Sequence, residues 1–157
     1  MFDPDDLDSV TAAYHEAGHA FIAHRLGGHV VAVTIEDEYG ALMGRTTVQW
    51  RGLDARGRRR CSALVALAGP VAEARWRGDV ELLAVLSAWR ADWQEVQAAL
   101  SAEASVGDQP ALLQRWLAQV RREIDDADCW EQLCRVADAL EAHGTLDEDL
   151  LADVLDA

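Results

Sequence analysis

His15-Glu16-Ala17-Gly18-His19 is the stretch on which the reading of this chain turns. It lies in a run whose apolar residues, Val10, Ala13, Tyr14, Ala17, Phe21, Ile22 and Leu26, recur at helical spacing. Asp8 or Ser9 can cap the start, with Asp5 and Asp6 well placed for the positive end of the dipole, and Gly27-Gly28 can end it. A helix from about residue 5 to 26 is therefore expected. Histidines four apart on a helix lie one turn above each other on one face, so His15 and His19 can both reach a single ion at about 2.0–2.1 Å, the zinc–nitrogen distance. Glu16 flanks that face. A carboxylate there is suited to take a proton from metal-bound water, whose pKa zinc lowers from about 15.7 to about 7.

Downstream, His29 to Glu36 is rich in β-branched residues and predicts a strand, Asp37 to Gly40 a turn, and Leu42 to Trp50 a second strand. Asp54 can cap a helix running towards Trp76, with a break or kink at Pro70. A further helix carries Asp92 in its first turns and ends near Ser105-Val106-Gly107. Pro110 suits the first turn of the next. An apolar stripe from Leu113 to Leu140 fits one long helix, or two with a break near Asp125-Asp126. Thr145 to Glu148 reads as a capping box for a short last helix. The expected fold class is α+β and mostly α-helical: a zinc helix, a small β-hairpin or sheet, and a helical bundle. At 157 residues the chain predicts one domain, with 1–105 as the metal-site core and 106–157 as C-terminal helices.

Composition narrows the partners. A formal net charge of −14 argues against nucleic acid and against anionic membranes. The longest apolar stretch, Ala63 to Ala72, falls short of the roughly 18 residues of a membrane span. No G-x-x-x-x-G-K-[ST] phosphate loop occurs, so an ATPase module is not expected within the chain. Cys61, Cys129 and Cys134 lack zinc-ligand spacing and predict reduced thiols, and the N-terminus carries no cationic-then-apolar signal, so the expected location is cytoplasmic. The sequence contains no lysine, and five of its 14 cations, Arg51, Arg56, Arg58, Arg59 and Arg60, gather near one predicted helix start. A solvated first turn is the plain reading of that cluster. Five cations there oppose the dipole, however, which leaves room for docking of an acidic partner or of the chain's own acidic termini.

A catalytic zinc commonly takes three protein ligands plus water. Spacing alone leaves Asp92, Glu73, Asp79 and Glu95 open as the third. Glu73 also suits a hydrogen bond to a ligand histidine, Asp92 a helix-dipole role, and Glu95 a solvated helix face. His24 is turned away from His15 and His19, towards solvent. His29 precedes a strand, and His143 lies near a helix end that favours positive charge. Trp89 and Trp93 flank Asp92 and can wall a substrate cleft, although core packing is the commoner role of tryptophan.

Several segments, in order, carry a family resemblance. Ala13-Tyr14-His15-Glu16-Ala17-Gly18-His19-Ala20 resembles the zinc helix of the FtsH-type ATP-dependent metalloproteases. Ala32 to Ile35 and Gly40 to Gly44 are similar to that family's following hairpin, and Leu67-Ala68-Gly69-Pro70-Val71-Ala72-Glu73 to its Gly-Gly-Arg-x-Ala-Glu helix. Ala91 to Leu100 resembles its Asn-Asp-x-x-x-Ala-Thr segment, and Leu140 to Leu146 its closing turn. The chain departs from the family in lacking the ATPase module, in Pro70, and in the Leu86-Ser87-Ala88-Trp89-Arg90-Ala91 approach to Asp92. The resemblance implies zinc held by His15, His19 and Asp92, with Glu16 as the base and Glu73 beside the zinc helix. It implies hydrolysis of peptide bonds in peptides or unfolded segments, the hairpin edge pairing with the substrate backbone. A separate protein partner would have to supply unfolding. The alternative is a non-catalytic binding or regulatory module that keeps zinc for stability. Glu16 weighs for the enzyme, because a structural site has no use for a carboxylate there.

Overall fold

The computed structural model describes residues 8–78 and 81–156. In chain order the elements are α1 (Ser9–Arg25), β1 (His29–Glu36), β2 (Leu42–Gln49), α2 (Ala55–Arg77), α3 (Leu82–Ala88), α4 (Arg90–Glu103), α5 (Gln109–Asp125), α6 (Ala127–His143), β3 (Thr145–Asp147) and α7 (Glu148–Leu155). The fold is α+β and mostly helical, as the sequence predicts.

Helix α1 is the centre of the molecule. Asp8 caps it by accepting from the Thr11 N–H at 2.7 Å, so the helix begins at Ser9, later than expected. Asp5 and Asp6 lie outside the described residues. From Thr11 to Ala23, α1 is buried at every residue but Tyr14. A helix buried on all sides needs small residues where its neighbours approach, and Ala12, Ala13, Ala17, Gly18, Ala20 and Ala23 supply them. At Gly18 the approach is closest: a Cβ there would lie 2.5 Å from the Ala68 carbonyl oxygen and 2.7 Å from the Ala72 Cβ on α2. Tyr14 adds an aromatic seam, stacked between Trp76 of α2 and Trp130 of α6 at centroid distances of 5.0 and 5.8 Å.

The sheet has the order β2-β1-β3, antiparallel throughout, with β1 in the middle. Strand β2 is therefore an edge strand. Strand β3 pairs Thr145, Leu146 and Asp147 with Thr34, Val33 and Ala32. This corrects the capping-box reading: Thr145 belongs to the sheet, and Asp147 caps α7 by accepting from the Leu150 N–H at 2.9 Å. Local sequence offered the capping pattern, and pairing with a strand over a hundred residues away overrode it.

Helix α2 is capped by Asp54, which accepts from the Gly57 N–H, and runs through Pro70 without interruption. The expected break is absent because both flanks of Pro70, Ala66 to Gly69 and Val71 to Glu73, are buried between packed elements. The apolar stripe after Pro110 divides into α5 and α6 where Asp126 turns the chain and caps the Cys129 N–H. Helix α3, only seven residues long, was too short for periodicity to mark. Apolar side chains from all seven helices, Trp116 and Leu133 among them, join a single core cluster. No helix among the described residues is long and apolar enough to cross a membrane.

Candidate metal site

His15, Glu16 and His19 project from the buried middle of α1, exposed by only 1, 4 and 6%. One potential ligand atom from each lies within 4.8 Å of the others, and this buried group can hold a metal ion. Asp92, in the first turn of α4, completes the arrangement. Its Oδ2 lies 2.8 Å from His15 Nε2 and 3.3 Å from His19 Nε2. Donor atoms bound tetrahedrally at about 2.0 Å are spaced by about 3.3 Å, so the spacing of Asp92 from each histidine is close to what a shared ion requires.

The tautomers suit that role. His19 Nδ1 faces the Val65 carbonyl oxygen at 2.6 Å and donates to it, which leaves Nε2 as the atom turned to the shared point. His15 Nδ1 is buried without a hydrogen bond, and the nearest acceptor is Glu73 Oε1 at 3.6 Å. Glu73 is fully buried, accepts from the Trp89 indole N–H at 3.0 Å, and has Arg77 Nε 3.4 Å from its other oxygen. Glu73 thus stands behind His15, on the side away from Asp92. Of the carboxylates left open by spacing, Asp92 is at the shared point and Glu73 is not. Asp79 lies outside the described residues.

Burial would lower the His19 pKa, but the Asp92 carboxylate outweighs it, aided by Glu16 and the Val65 carbonyl, and raises it to about 10. Burial raises Asp92, yet the His19 charge and hydrogen bonds from both histidines hold it well below the usual carboxylate range. Without metal, both shifts favour a protonated His19 facing an ionised Asp92 across 3.3 Å.

Glycines make the room. A Cβ on Gly69 of α2 would lie 2.5 Å from His19 Cε1 and 2.8 Å from His15 Nε2. A Cβ on Gly44 of β2 would collide with Glu16 Oε1. Close approach is the physical reason for both glycines, which the sequence marks only through the family resemblance. Thr46, also on β2, donates to Glu16 Oε2 at 2.7 Å and fixes the carboxylate beside the histidines. Composition and spacing gave no signal for Thr46, because its link to Glu16 exists only once β2 packs on α1.

Neither Trp89 nor Trp93 lines the cleft, and Trp93 takes the commoner packing role. Trp89 stacks on His15, with centroids 3.7 Å apart and planes at 24°, so it braces the imidazole. Trp93 packs partly buried against the core. The tryptophan that lines the cleft is Trp50, at the end of β2. Glu95 is exposed on its helix face, as the solvated reading has it; it also borders the cleft, where partial burial together with the neighbouring Asp92 charge raises its pKa. His24 is exposed, and His29 pairs with Glu148 at 2.7 Å, away from the site.

The cleft itself, about 310 Å³, opens over Glu16, His19 and Asp92 and follows β2 from Gly44 to Trp50. Its other wall is α2 at Ser62, Val65 and Ala66. Neither the protein-family models nor the curated proteins compared with this chain give a match.

Proposed function

We propose that this protein is a zinc-dependent peptidase of the FtsH-like kind, hydrolysing peptide bonds in peptides or unfolded segments. The observation that carries the reading is the position of Glu16. Its carboxylate is held by Thr46, uncrowded because residue 44 is glycine, next to His15, His19 and Asp92 and at the floor of an open cleft. Structural zinc sites are closed, whereas catalytic ones keep one position open to water or substrate, and a cleft over the donor set supports the second kind. It also weighs against the non-catalytic module.

His15, His19 and Asp92 would hold the zinc, which supplies a Lewis acid that acidifies water and polarises a carbonyl. Glu16 takes the proton of the attacking water on its carboxylate and passes it to the leaving amine nitrogen. Thr46 keeps that carboxylate aimed. Trp89, itself hydrogen-bonded to Glu73, braces the His15 ring, and the Val65 carbonyl holds that of His19. The outer edge of β2 pairs with an extended substrate backbone, which favours unfolded segments over folded ones. The three cysteines are free thiols, in keeping with a cytoplasmic location.

The test is Glu16→Gln, which preserves size but cannot accept the proton. Zinc content and folding are expected to stay native while cleavage of an unstructured peptide library falls by about a hundredfold or more. Equal cleavage by both proteins would remove Glu16 as the base. A zinc-loaded native protein inactive across the whole library would remove the peptidase reading.

A further inference from the structure

Beyond Ser62 and Glu95 the cleft runs into a second depression of about 340 Å³. It shares those two residues and is otherwise walled by Arg58 and Arg59 of α2 and by Ala98 and Ala99 of α4. The two arginines are exposed and take part in no ion pair or hydrogen bond among the described residues. Their neighbours on the same helix are engaged: Arg56 lies 3.7 Å from Glu103, and Arg60 donates to Gln119. The chain holds 28 acidic residues against 14 arginines, so a shortage of acids does not explain unpaired cations.

Both arginines lie early in α2, a 23-residue helix whose N-terminal end is already positive. Cations there lower helix stability, and no internal partner offsets the cost. The same arrangement adds the dipole and two guanidinium groups into one positive patch on an otherwise acidic protein. Glu95 at the boundary is the single acid lining the depression, so the cations outnumber it.

We infer that Arg58 and Arg59 select peptides carrying an acidic side chain to one side of the bond at the zinc site. A substrate laid along β2 with its backbone over Glu16 extends past Ser62 into this patch, and a glutamate or aspartate a few residues away meets two guanidinium groups. The net charge of −14 repels such a peptide overall, so a local patch of cations sets both the choice of substrate and its direction along the cleft. The word substrate rests on the peptidase reading; the binding preference does not.

Binding is measured by fluorescence anisotropy on the zinc-loaded Glu16→Gln protein. The probes are labelled unstructured peptides in which Glu, Gln or Lys is scanned along an otherwise uncharged sequence. Glu peptides are expected to bind about tenfold tighter than Gln peptides at positions on one side only, and the difference should shrink as salt rises. In an added Arg58→Gln/Arg59→Gln background the preference should vanish, and in Arg58→Glu/Arg59→Glu it should invert towards Lys. Both positions are exposed, and circular dichroism checks the fold. Equal binding of all three peptides, no measurable binding of any Glu peptide, or a preference that survives both double variants would overturn the inference. Selective binding without cleavage by the native protein would instead remove the peptidase reading and leave this one standing. Cleavage indifferent to charge would do the reverse.

Discussion

Gly69→Ala separates two effects that a helix normally combines. Gly69 lies inside α2 and is not among the glycines with positive φ, so the backbone accepts alanine there. Helix propensity alone then predicts a gain of about 1 kcal/mol. The added methyl, however, would lie 2.5 Å from His19 Cε1, 2.6 Å from His19 Nε2 and 2.8 Å from His15 Nε2. Ordinary carbon contacts are about 3.5–4.0 Å, so the rings must retreat by about 1 Å. His19 cannot retreat without breaking its 2.6 Å bond to the Val65 carbonyl, and His15 is backed by Trp89 at 3.7 Å. Overpacking of this kind costs about 1–3 kcal/mol, which the helix gain partly offsets, leaving a net loss of about 0–2 kcal/mol. Metal binding has no such offset. A site tolerates ligand displacements of about 0.2 Å, and a 1 Å shift of both rings is expected to weaken zinc affinity by about a hundredfold or more. The assay is competition titration against a chromophoric chelator, with thermal unfolding followed by circular dichroism. Gly18→Ala is the control: its Cβ would meet Ala68 and Ala72 rather than the imidazoles, so it should cost stability more than metal affinity. A Gly69→Ala protein that folds and binds zinc with native affinity would refute this account of the site.

Asp92→Ala is expected to abolish most zinc binding, whereas Glu73→Gln should lower affinity about 10- to 100-fold by loosening His15; competition titration giving the opposite order would move the third ligand to Glu73. Trp89→Leu keeps an apolar neighbour but removes the stack and the indole hydrogen bond, and should weaken zinc binding by about tenfold while the far-ultraviolet spectrum stays native. Zinc binding at pH 7 should release about one proton, because His19 is raised to about 10 and must lose its Nε2 proton to bind metal; calorimetry in buffers of different ionisation enthalpy reads this directly, and no release would refute the imidazolium–carboxylate pair. For the metal-free protein the sign of the pH dependence follows. The raised His19 stabilises fully below its unfolded pKa of about 6.5, and that contribution is lost as pH rises towards about 10. The lowered Asp92 stabilises above about pH 4, and its contribution is lost as acid protonates it. Urea midpoints should therefore fall on both sides of a window near pH 4 to 6.5, and Asp92→Asn should flatten the profile.

The amino-acid sequence by itself determined the parts whose physics is local. The spacing of His15 and His19, a cap at Asp8 or Ser9 and one at Asp54, the β-branched run of β1, the stop at Gly27 and the candidate break near Asp125-Asp126 all depend on neighbours within a turn or two. What needed the tertiary structure is whatever depends on two distant segments meeting. By spacing, four acids downstream of the helix were alike as ligands, with only the family resemblance pointing to Asp92, until α4 carried Asp92 to the Nε2 atoms and left Glu73 on the far side of His15. Thr145 had a plausible local role until β1 claimed it as a strand. Trp89 was open between cleft wall and core packing until it proved to brace a histidine, and Thr46 was unmarked until β2 laid it against Glu16. Periodicity and capping record a residue's relation to its own element, whereas a metal site is made of contacts whose sequence separation carries no period at all.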